Sequence, residues 1–440
     1  MYLLLLSYFI ACLIIFYLFL ILYLKCKMPF WSKQPVFHWY NLTYWLSGPP
    51  GLISKELPLL NKYVDFFNVK TLSLASNEDA DTTAICEFIK ENYIYRGTDT
   101  KKVGANAVGT NANAVGTNAV DAVGTIYAPT KANILDYLLH SNHPSYLTVY
   151  QEPKIVFQPE ASANKDIVAV ISARPLYVRL QQKTLFSSKK TMFTTYYVDN
   201  LCVHPAFRKK GIASTMIQTH YHNLRQQNKQ ITTCLFKREG TLNAIVPLVA
   251  FNTYCLSLAN LVNNLLAPHH TLIEIGVTQL HLCMDFIKSQ MTTFNCVILP
   301  DVTSLTHLIK TGNIKIYCLL GANGVGATNG VVGTTSNIIA CYIFRLLALT
   351  YDGKQTCECI ATISATTNTV DLFHYGFHQA CTILKEKHTI SLLLMEETAH
   401  TGTLLTPTLR TLIQFTSPTA FFFYNYACYT LKGRECLIVY

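Results

Sequence analysis

The residues best suited to chemistry lie between Val198 and Arg225, in the run VDNLCVHPAFRKKGIASTMIQTHYHNLR. An apolar strand pattern ends at Val203 and His204, Pro205 marks a turn, and Arg208, Lys209 and Lys210 precede Gly211 where a helical pattern begins with Ile212 and Ala213. That order suits a phosphorylated anion. Free backbone N–H groups at a helix N-terminus point outward, the helix dipole adds positive potential, and a glycine lets an anion approach the backbone. Other groups are poorer candidates. His374 and His378 lie four apart on an expected helix, but no third ligand follows at a fitting spacing, so no metal is expected. Cys202 reads as a small apolar residue of the strand, not a nucleophile. No Ser–His–Asp arrangement stands out.

Composition sets the frame around this run. The chain has 440 residues, half of them hydrophobic and only 14% charged, enough for a large core in two ordinary domains or one double one. A formal charge of +10 fits an acidic partner: nucleic acid, an anionic lipid surface or a phosphorylated cofactor such as CoA. The absence of any long Lys/Arg run argues against nucleic acid. Fifteen cysteines, an odd number at irregular spacing and without a C-x-x-C, read as free thiols in a reducing compartment.

Residues 1 to 24 carry no charged side chain, and a helix of that length reaches about 36 Å, enough to cross a bilayer core. The run is longer than the apolar core of a signal peptide and lacks a basic segment before it. Lys25, Lys27 and Lys33 follow at once, which places the body on the cytosolic side, in agreement with the free cysteines. Residues 28 to 58, rich in Pro, Trp and Gly, read as an extended arm.

Ile85, Phe88, Ile89 and Tyr93 recur at helical spacing. Two tracts, 103–125 (VGANAVGTNANAVGTNAVDAVGT) and 321–335 (GANGVGATNGVVGTT), have too little apolar bulk to build a core and read as surface insertions. Elsewhere strand and helix patterns alternate. Strands are expected over Asp166–Val178, interrupted or bent at Pro175, and over Tyr196–His204, with a helix over Gly211–Arg225. A second region, 270–440, repeats the alternation: strands near 336–350, 357–366, 389–395, 419–429 and 435–440, and a helix from Val370 to Lys387. The fold class expected is α/β.

The segment around Gly211 is similar to the CoA pyrophosphate loop of the GNAT acyltransferase superfamily, and three further stretches narrow the likeness. PFWSKQPVF at 29–37, NLCVHPAFRKKGIA at 200–213, and the closing series LLLMEE, FFFYNYAC and ECLIVY resemble glycylpeptide N-tetradecanoyltransferases, the N-myristoyltransferases. The ENY at 91–93 matches as well. The resemblance implies two pseudo-symmetric GNAT-like halves around one continuous saddle-shaped sheet, behind an N-terminal transmembrane helix. It divides the chain into an anchor (1–25), an arm that contacts acyl-CoA (26–58), an acyl-CoA-binding half (59–265) and a peptide-binding half (266–440).

The resemblance also implies an activity: transfer of a myristoyl group from myristoyl-CoA to an N-terminal glycine amine, by direct attack on the thioester and without a prosthetic group. Phe30 and Trp31 of the arm would lie against the acyl-CoA, with Cys202, Val203, Arg208, Lys209, Lys210, Gly211, Ile212 and Ala213. The backbone N–H groups of Asn200 and Leu201 would receive the negative charge that develops on the carbonyl oxygen. The glycine ammonium must lose a proton, and the implied base is the carboxylate of the last residue, Tyr440; the role rests on that carboxylate's position and not on the tyrosine ring. Expected partners are acyl-CoA, glycine-first peptides and, through the first helix, a membrane, with no nucleic acid and a monomeric state. The chain departs from the family pattern in three places. The acidic stretch that follows ENY in the family is absent, CLFKREG stands in place of its T-A-G segment, and Tyr254-Cys255-Leu256-Ser257 lacks its histidine. Two other functions fit the same pattern: acyl transfer from a different acyl-CoA, and an inactive membrane-tethered peptide binder.

Overall fold

The computed structural model describes residues 2–74, 82–93, 125–152, 167–183, 188–240, 245–261, 270–321, 338–365 and 370–440. Apart from their end residues, the low-complexity tracts at 103–125 and 321–335 fall outside these, as does Asp166.

Long alternating and apolar runs make strands here, and they join into one fifteen-stranded sheet among the described residues. Its first half is built from Val69–Leu74, Ser145–Gln151, Ile167–Lys183 and Ser188–Val203, paired antiparallel in that order. The helix Ile212–Gln227 then crosses over to Cys234–Glu239, which runs parallel to Ser188–Val203. The second half repeats this plan. Thr271–Glu274, Ile314–Leu320, Ile338–Tyr351 and Lys354–Ser364 are antiparallel neighbours, and the helix Val370–His388 crosses to the parallel strand Leu392–Glu396.

The halves are locked by exchange. Val249–Ser257 follows the first half in sequence but pairs with Leu392–Glu396, whereas Ile413–Tyr424 follows the second half but pairs with Cys234–Glu239. These two strands also pair with each other at the centre of the sheet. Farther out, Cys296–Leu299 of the second half adds to Ile167–Lys183, and Thr125–Tyr127 of the first adds to Ile338–Tyr351. The pseudo-symmetry and the continuous sheet are therefore properties of the strand order itself.

Two expectations are corrected. Pro175 does not interrupt its strand: Ile167–Lys183 runs through it, and Pro175 pairs with Tyr196. On the other edge the strand changes partners, from Ser145–Gln151 up to Ala173 to Cys296–Leu299 from Tyr177. Pro175 falls in the gap, where no ladder N–H is needed. The arm is not wholly extended either. It folds into a 3₁₀ turn, Trp31–Lys33, and a short helix, Leu42–Ser47.

The helix Val370–His388 buries Phe373, Phe377, Ala380, Cys381 and Leu384 against the second half. Its Gly376 faces Tyr342, whose hydroxyl donates to the Phe373 carbonyl at 2.7 Å. A Cβ at position 376 would lie 2.5 Å from that hydroxyl oxygen, with no slack in a hydrogen-bonded, fully buried ring. Gly376→Ala is therefore predicted to destabilise the fold by about 1–3 kcal/mol through overpacking. Denaturant unfolding checks this; unchanged stability would show a looser helix–sheet contact.

Candidate functional site

Parallel strands Ser188–Val203 and Cys234–Glu239 pair over only three residues, Tyr196 to Val198 against Cys234 to Phe236. Beyond Val198 they diverge, and at the point of divergence Ser188–Val203 bulges. Val170 pairs with Cys202 and Ser172 with Asp199, so Asn200 and Leu201 both oppose Ile171. Asn200 takes a positive φ of 55°. The gap opened in this way is a narrow apolar cleft lined by Ile171, Val198, Ile217, Tyr221, Phe236 and Trp31. As it stands it holds about 30 Å³, so an acyl chain enters only if the cleft opens.

The arm closes this cleft. Trp31 stacks on Phe236 at 5.6 Å, and Phe30, which is buried, meets Trp31 and Tyr63 edge-on. The arm is pinned at its middle. Tyr424 donates from its hydroxyl to Gln34, Asn425 donates its N–H to the Pro35 carbonyl at 2.6 Å, and Val246 donates to Phe37 at 2.7 Å. Trp31 thus lines the cleft, and Phe30 packs behind it against Tyr63.

The anion loop has a mixed outcome. Lys209 and Gly211 are left-handed, with φ of 63° and 84°, and the helix beginning at Ile212 has no side-chain cap, so its first N–H groups face outward from Gly211, Ile212 and Ala213. Lys209 and Lys210 are exposed at this end. Arg208 is used differently. Its Nε donates to the Val203 carbonyl at 3.0 Å and its Nη2 to the Asn92 carbonyl at 2.7 Å, tying the strand end to the helix Thr83–Asn92. The guanidinium holds the loop in place while the two lysines carry its free charge. His204 accepts from the Ala206 N–H through Nδ1 and so caps the turn.

Leu201 and Val203 pack towards Ala213 and Met216 of the helix, but Cys202 faces the other side of the sheet, among Ile85, Ile89 and Leu138. Burial pushes its thiol up to about 12, which rules out a thiolate nucleophile at neutral pH. His374 donates from Nε2 to the Thr403 carbonyl, 2.9 Å away, and His378 is buried in the helix's inner face. Cys283, Cys318 and Cys341 bring three buried sulfurs within 4.8 Å of one another, but they lie in the apolar core that Ile287 and Ile343 also build.

Near the bulge, residues of the motif meet partners from the neighbouring strand. Asp199 accepts the Asn200 N–H at 2.9 Å and pairs with Arg174 at 3.7 Å, while Asn200 Nδ2 donates to the Ser172 hydroxyl at 3.0 Å. One of the two expected oxyanion donors is therefore already engaged by a carboxylate. Arg174 also lies over the rings of Tyr137 and Tyr197, and the Tyr197 ring is 5.1 Å from that of Tyr440. One cation and two packed rings thus connect the bulge to the last residue.

Tyr440 is carried inward by Cys436–Ile438, which pairs in parallel with Cys296–Leu299, and by the Val439 N–H on the Ile298 carbonyl at 2.9 Å. Its ring is not incidental. The hydroxyl is 2.7 Å from Glu396 Oε1 and 3.2 Å from Glu358 Oε1, and it accepts from Lys237 Nζ at 2.8 Å. Lys237 also reaches Glu396 at 2.5 Å and Glu358 at 2.8 Å, so its three N–H donors have three acceptors. Arg345 Nη2 completes the group at 2.6 Å from Glu358 and sits over the Tyr440 ring.

Tyr440, Lys237, Glu358 and Glu396 are buried and Arg345 is half-buried, and their charges adjust accordingly. Burial works against charge on Glu358, but Arg345 and Lys237 hold its carboxyl well below the usual carboxylate range. For Glu396, burial, opposed by Lys237 and reinforced by Glu358, pushes the carboxyl up to about 7. Lys237 resists the lowering effect of burial because Glu358 and Glu396 face it, and it stays protonated. Sequence inspection missed this cluster. Its signal is a charged residue set within an otherwise apolar strand: Arg345 in YIFRLL, Glu358 in CECIAT and Glu396 in LLLME, with Lys237 at the apolar end of the charged run in CLFKREG.

Two levels of likeness follow from this geometry. Residues 127–239 match the family model of the acetyltransferase (GNAT) family, and they contain the bulge, the loop and the crossover helix. Over nearly the whole chain the architecture is that of N-myristoyltransferase. A Saccharomyces cerevisiae N-myristoyltransferase structure with bound myristoyl-CoA superposes with a TM-score of 0.61 at 14% identity, covering 92% of this chain and 94% of that one. A second, also with bound myristoyl-CoA, gives 0.62 at 14% identity, over 92% and 90%. A third, with myristoyl-CoA and inhibitors, gives 0.63 at 13% identity, over 95% of each chain. No curated protein sequence matches. The resemblance read from the sequence is thus upheld as a common fold.

The ion cluster generates two predictions. Glu396 has a folded-state value near 7, above the ordinary 4.5, so folding favours its protonated form. Its contribution is full below about pH 4.5 and is lost as pH rises towards 7. Melting temperature should therefore fall across that window, and Glu396→Gln should flatten that part of the profile; an unchanged slope would show that another group titrates. Lys237→Met leaves two buried carboxyls without their ammonium and should cost about 3–5 kcal/mol in denaturant unfolding. The double variant Lys237→Met/Glu396→Leu should recover part of that loss.

Proposed function

We propose that the protein transfers a long-chain acyl group, myristoyl, from CoA to the N-terminal glycine amine of peptides. The observation that carries this is the apolar cleft at the strand divergence, which is lined by Ile171 and Val198 beside the bulge at Asn200 and Leu201 and is covered by Trp31. A thioester lying along it would have its acyl chain among Ile171, Val198 and Phe236 and its carbonyl at the bulge. Its pyrophosphate would reach the uncapped helix start at Gly211, with Lys209 and Lys210 beside it. Backbone donors fixed at the developing oxyanion lower the barrier because they need no reorganisation, each by about 10²–10³ in rate. The carboxylate of Tyr440 is the proposed base: an α-carboxylate has a pKa near about 3.5, is ionised at neutral pH and can pair with the glycine ammonium.

In this proposal the first half of the chain, to about residue 265, holds the acyl-CoA, and the second half supplies most of the peptide groove. Tyr2–Lys27 is a helix long and apolar enough to cross a membrane, with a mean hydropathy of 2.8. We assign it as an anchor that holds the body on the cytosolic side, with Lys25 and Lys27 at the headgroups.

A second function, binding of glycine-first peptides without turnover, is favoured by one observation: the Asp199 carboxylate on the Asn200 N–H. An oxyanion arriving there meets an occupied donor and a like charge. One experiment separates the two. The full chain is incubated with acyl-CoAs of graded length and a glycine-first peptide, and the product is weighed. A tetradecanoyl amide is expected, and acetyl transfer alone or no amide at all would overturn the proposal. Asp199→Asn keeps the shape and removes the charge, leaving Arg174 free to face the oxyanion; it should raise turnover, by up to about tenfold for about 1.4 kcal/mol of barrier. Turnover that falls instead would show that the carboxylate itself takes part.

A further inference from the structure

The apolar helix does not stand clear of the body. Along its second half Tyr17, Ile21, Leu24 and Met28 are partly covered while their neighbours are exposed. Spacings of four, three and four residues trace one stripe on a helix. What covers this stripe includes a turn of the arm: the Tyr17 hydroxyl donates to the Tyr40 carbonyl. That contact fixes a depth. Tyr17 lies eight to ten residues before Lys25 and Lys27, about 12–15 Å along the axis. If the two lysines mark the headgroups, Tyr40 lies on the bilayer side of them, even after allowing for the reach of a tyrosine side chain. The helix cannot slide outward enough to lift it free. Residues 2 to 24 span about 35 Å, against a hydrocarbon core of about 30 Å.

The segment at that depth has the composition and wiring of an immersed one. Trp39 is 65% exposed and Leu46 84%, with Leu42 and Trp45 exposed between them. Tyr44, Leu42 and Asn41 donate their backbone N–H groups to the carbonyls of Asn41, Tyr40 and His38, and the Trp45 indole N–H donates to the Trp39 carbonyl at 3.0 Å. A turn that satisfies its own backbone in this way loses little on leaving water, and tryptophan favours the membrane boundary.

We propose that residues 39–46 dip into the leaflet that receives the Lys25–Lys27 end of the helix, so that the protein is held by a spanning helix and by a second, monotopic contact. The inference rests on the assignment of the helix as an anchor. The same arm carries Trp31 at the acyl cleft, so the cleft is held close to the lipid surface.

The three tryptophans of the chain, Trp31, Trp39 and Trp45, all lie in this arm, which makes their fluorescence a local probe. The full chain carrying Trp31→Phe and Trp45→Phe is reconstituted in phosphatidylcholine vesicles, with and without lipids brominated high in the acyl chains. Trp39 emission should shift to the blue, be quenched by the brominated lipid and resist aqueous iodide. Emission that is unquenched by bromine but open to iodide, in chain that stays with the vesicles through an alkaline wash, overturns the inference and leaves the anchor intact. Protection from both quenchers also overturns it and assigns the patch to a second copy of the chain. Chain that does not float with vesicles at all removes the anchor and the inference together. The reciprocal variant, which retains Trp45 alone, must give the same pattern for the proposal to stand.

Discussion

A single ammonium group ties the molecule together. Lys237 stands on the last strand of the first half, yet its acceptors come from Lys354–Ser364 and Leu392–Glu396 of the second half and from the hydroxyl of the final residue. Buried this deeply, none of these groups tolerates the loss of its partner, because a bare charge in the interior is far costlier than a solvated one. The strand exchange at the centre of the sheet and the position of Tyr440 are thus held by the same charges. An apolar core of the same volume would pack the sheet equally well, but it would not specify where the chain end lies.

That constraint reaches the cleft through aromatic rings. Arg345 lies over Tyr440, Tyr440 touches Tyr197, and Tyr197 lies under Arg174, which pairs with Asp199 at the bulge. The bulge and the chain end, the two places to which the proposed reaction assigns polar groups, belong to one packed series and not to two independent loops. Asp199 gives this series an unusual property. Its carboxylate stabilises the bulge by capping the Asn200 N–H, and it opposes negative charge at the same point. Stability of the bulge and stabilisation of an oxyanion pull in opposite directions at this residue.

The arm and the first helix form a second unit. Gln34, Pro35 and Phe37 fasten the arm to the body near Tyr424 and Val246, while Tyr17 and Tyr40 fasten the same arm to the apolar helix. The closure of the cleft by Trp31 and the packing of the first helix against the body are therefore set by one stretch of about twenty residues. Glycine plays a specific part at Gly211, where a φ of 84° turns the chain from strand end into helix and leaves the helix start uncapped.

Much of this is written locally. The periods of Ile212–Gln227 and Val370–His388, the apolar strands, the arm motif and the uncharged first 24 residues all appear in the sequence, because each follows from the side chains of one contiguous segment. Other features come from pairings over long separations, which no local pattern encodes. Pro175 was expected to interrupt or bend its strand because a proline lacks an N–H; only the switch of edge partners at Ala173 and Tyr177 shows that no N–H is needed there. Arg208 reads in the sequence only as a charge near an anion; that it also ties the strand end to the carbonyl of Asn92, 116 residues earlier, appears only in the fold. The ring of Tyr440 seemed replaceable until Lys237, 203 residues before it, and Glu396 met its hydroxyl. The sequence alone marked the crossover helices, several of the longer apolar strands and the uncharged first helix, since hydrophobic period is a local property. Only the tertiary structure decided which isolated charges meet, because a charge in an apolar strand has no meaning until its partner is brought to it.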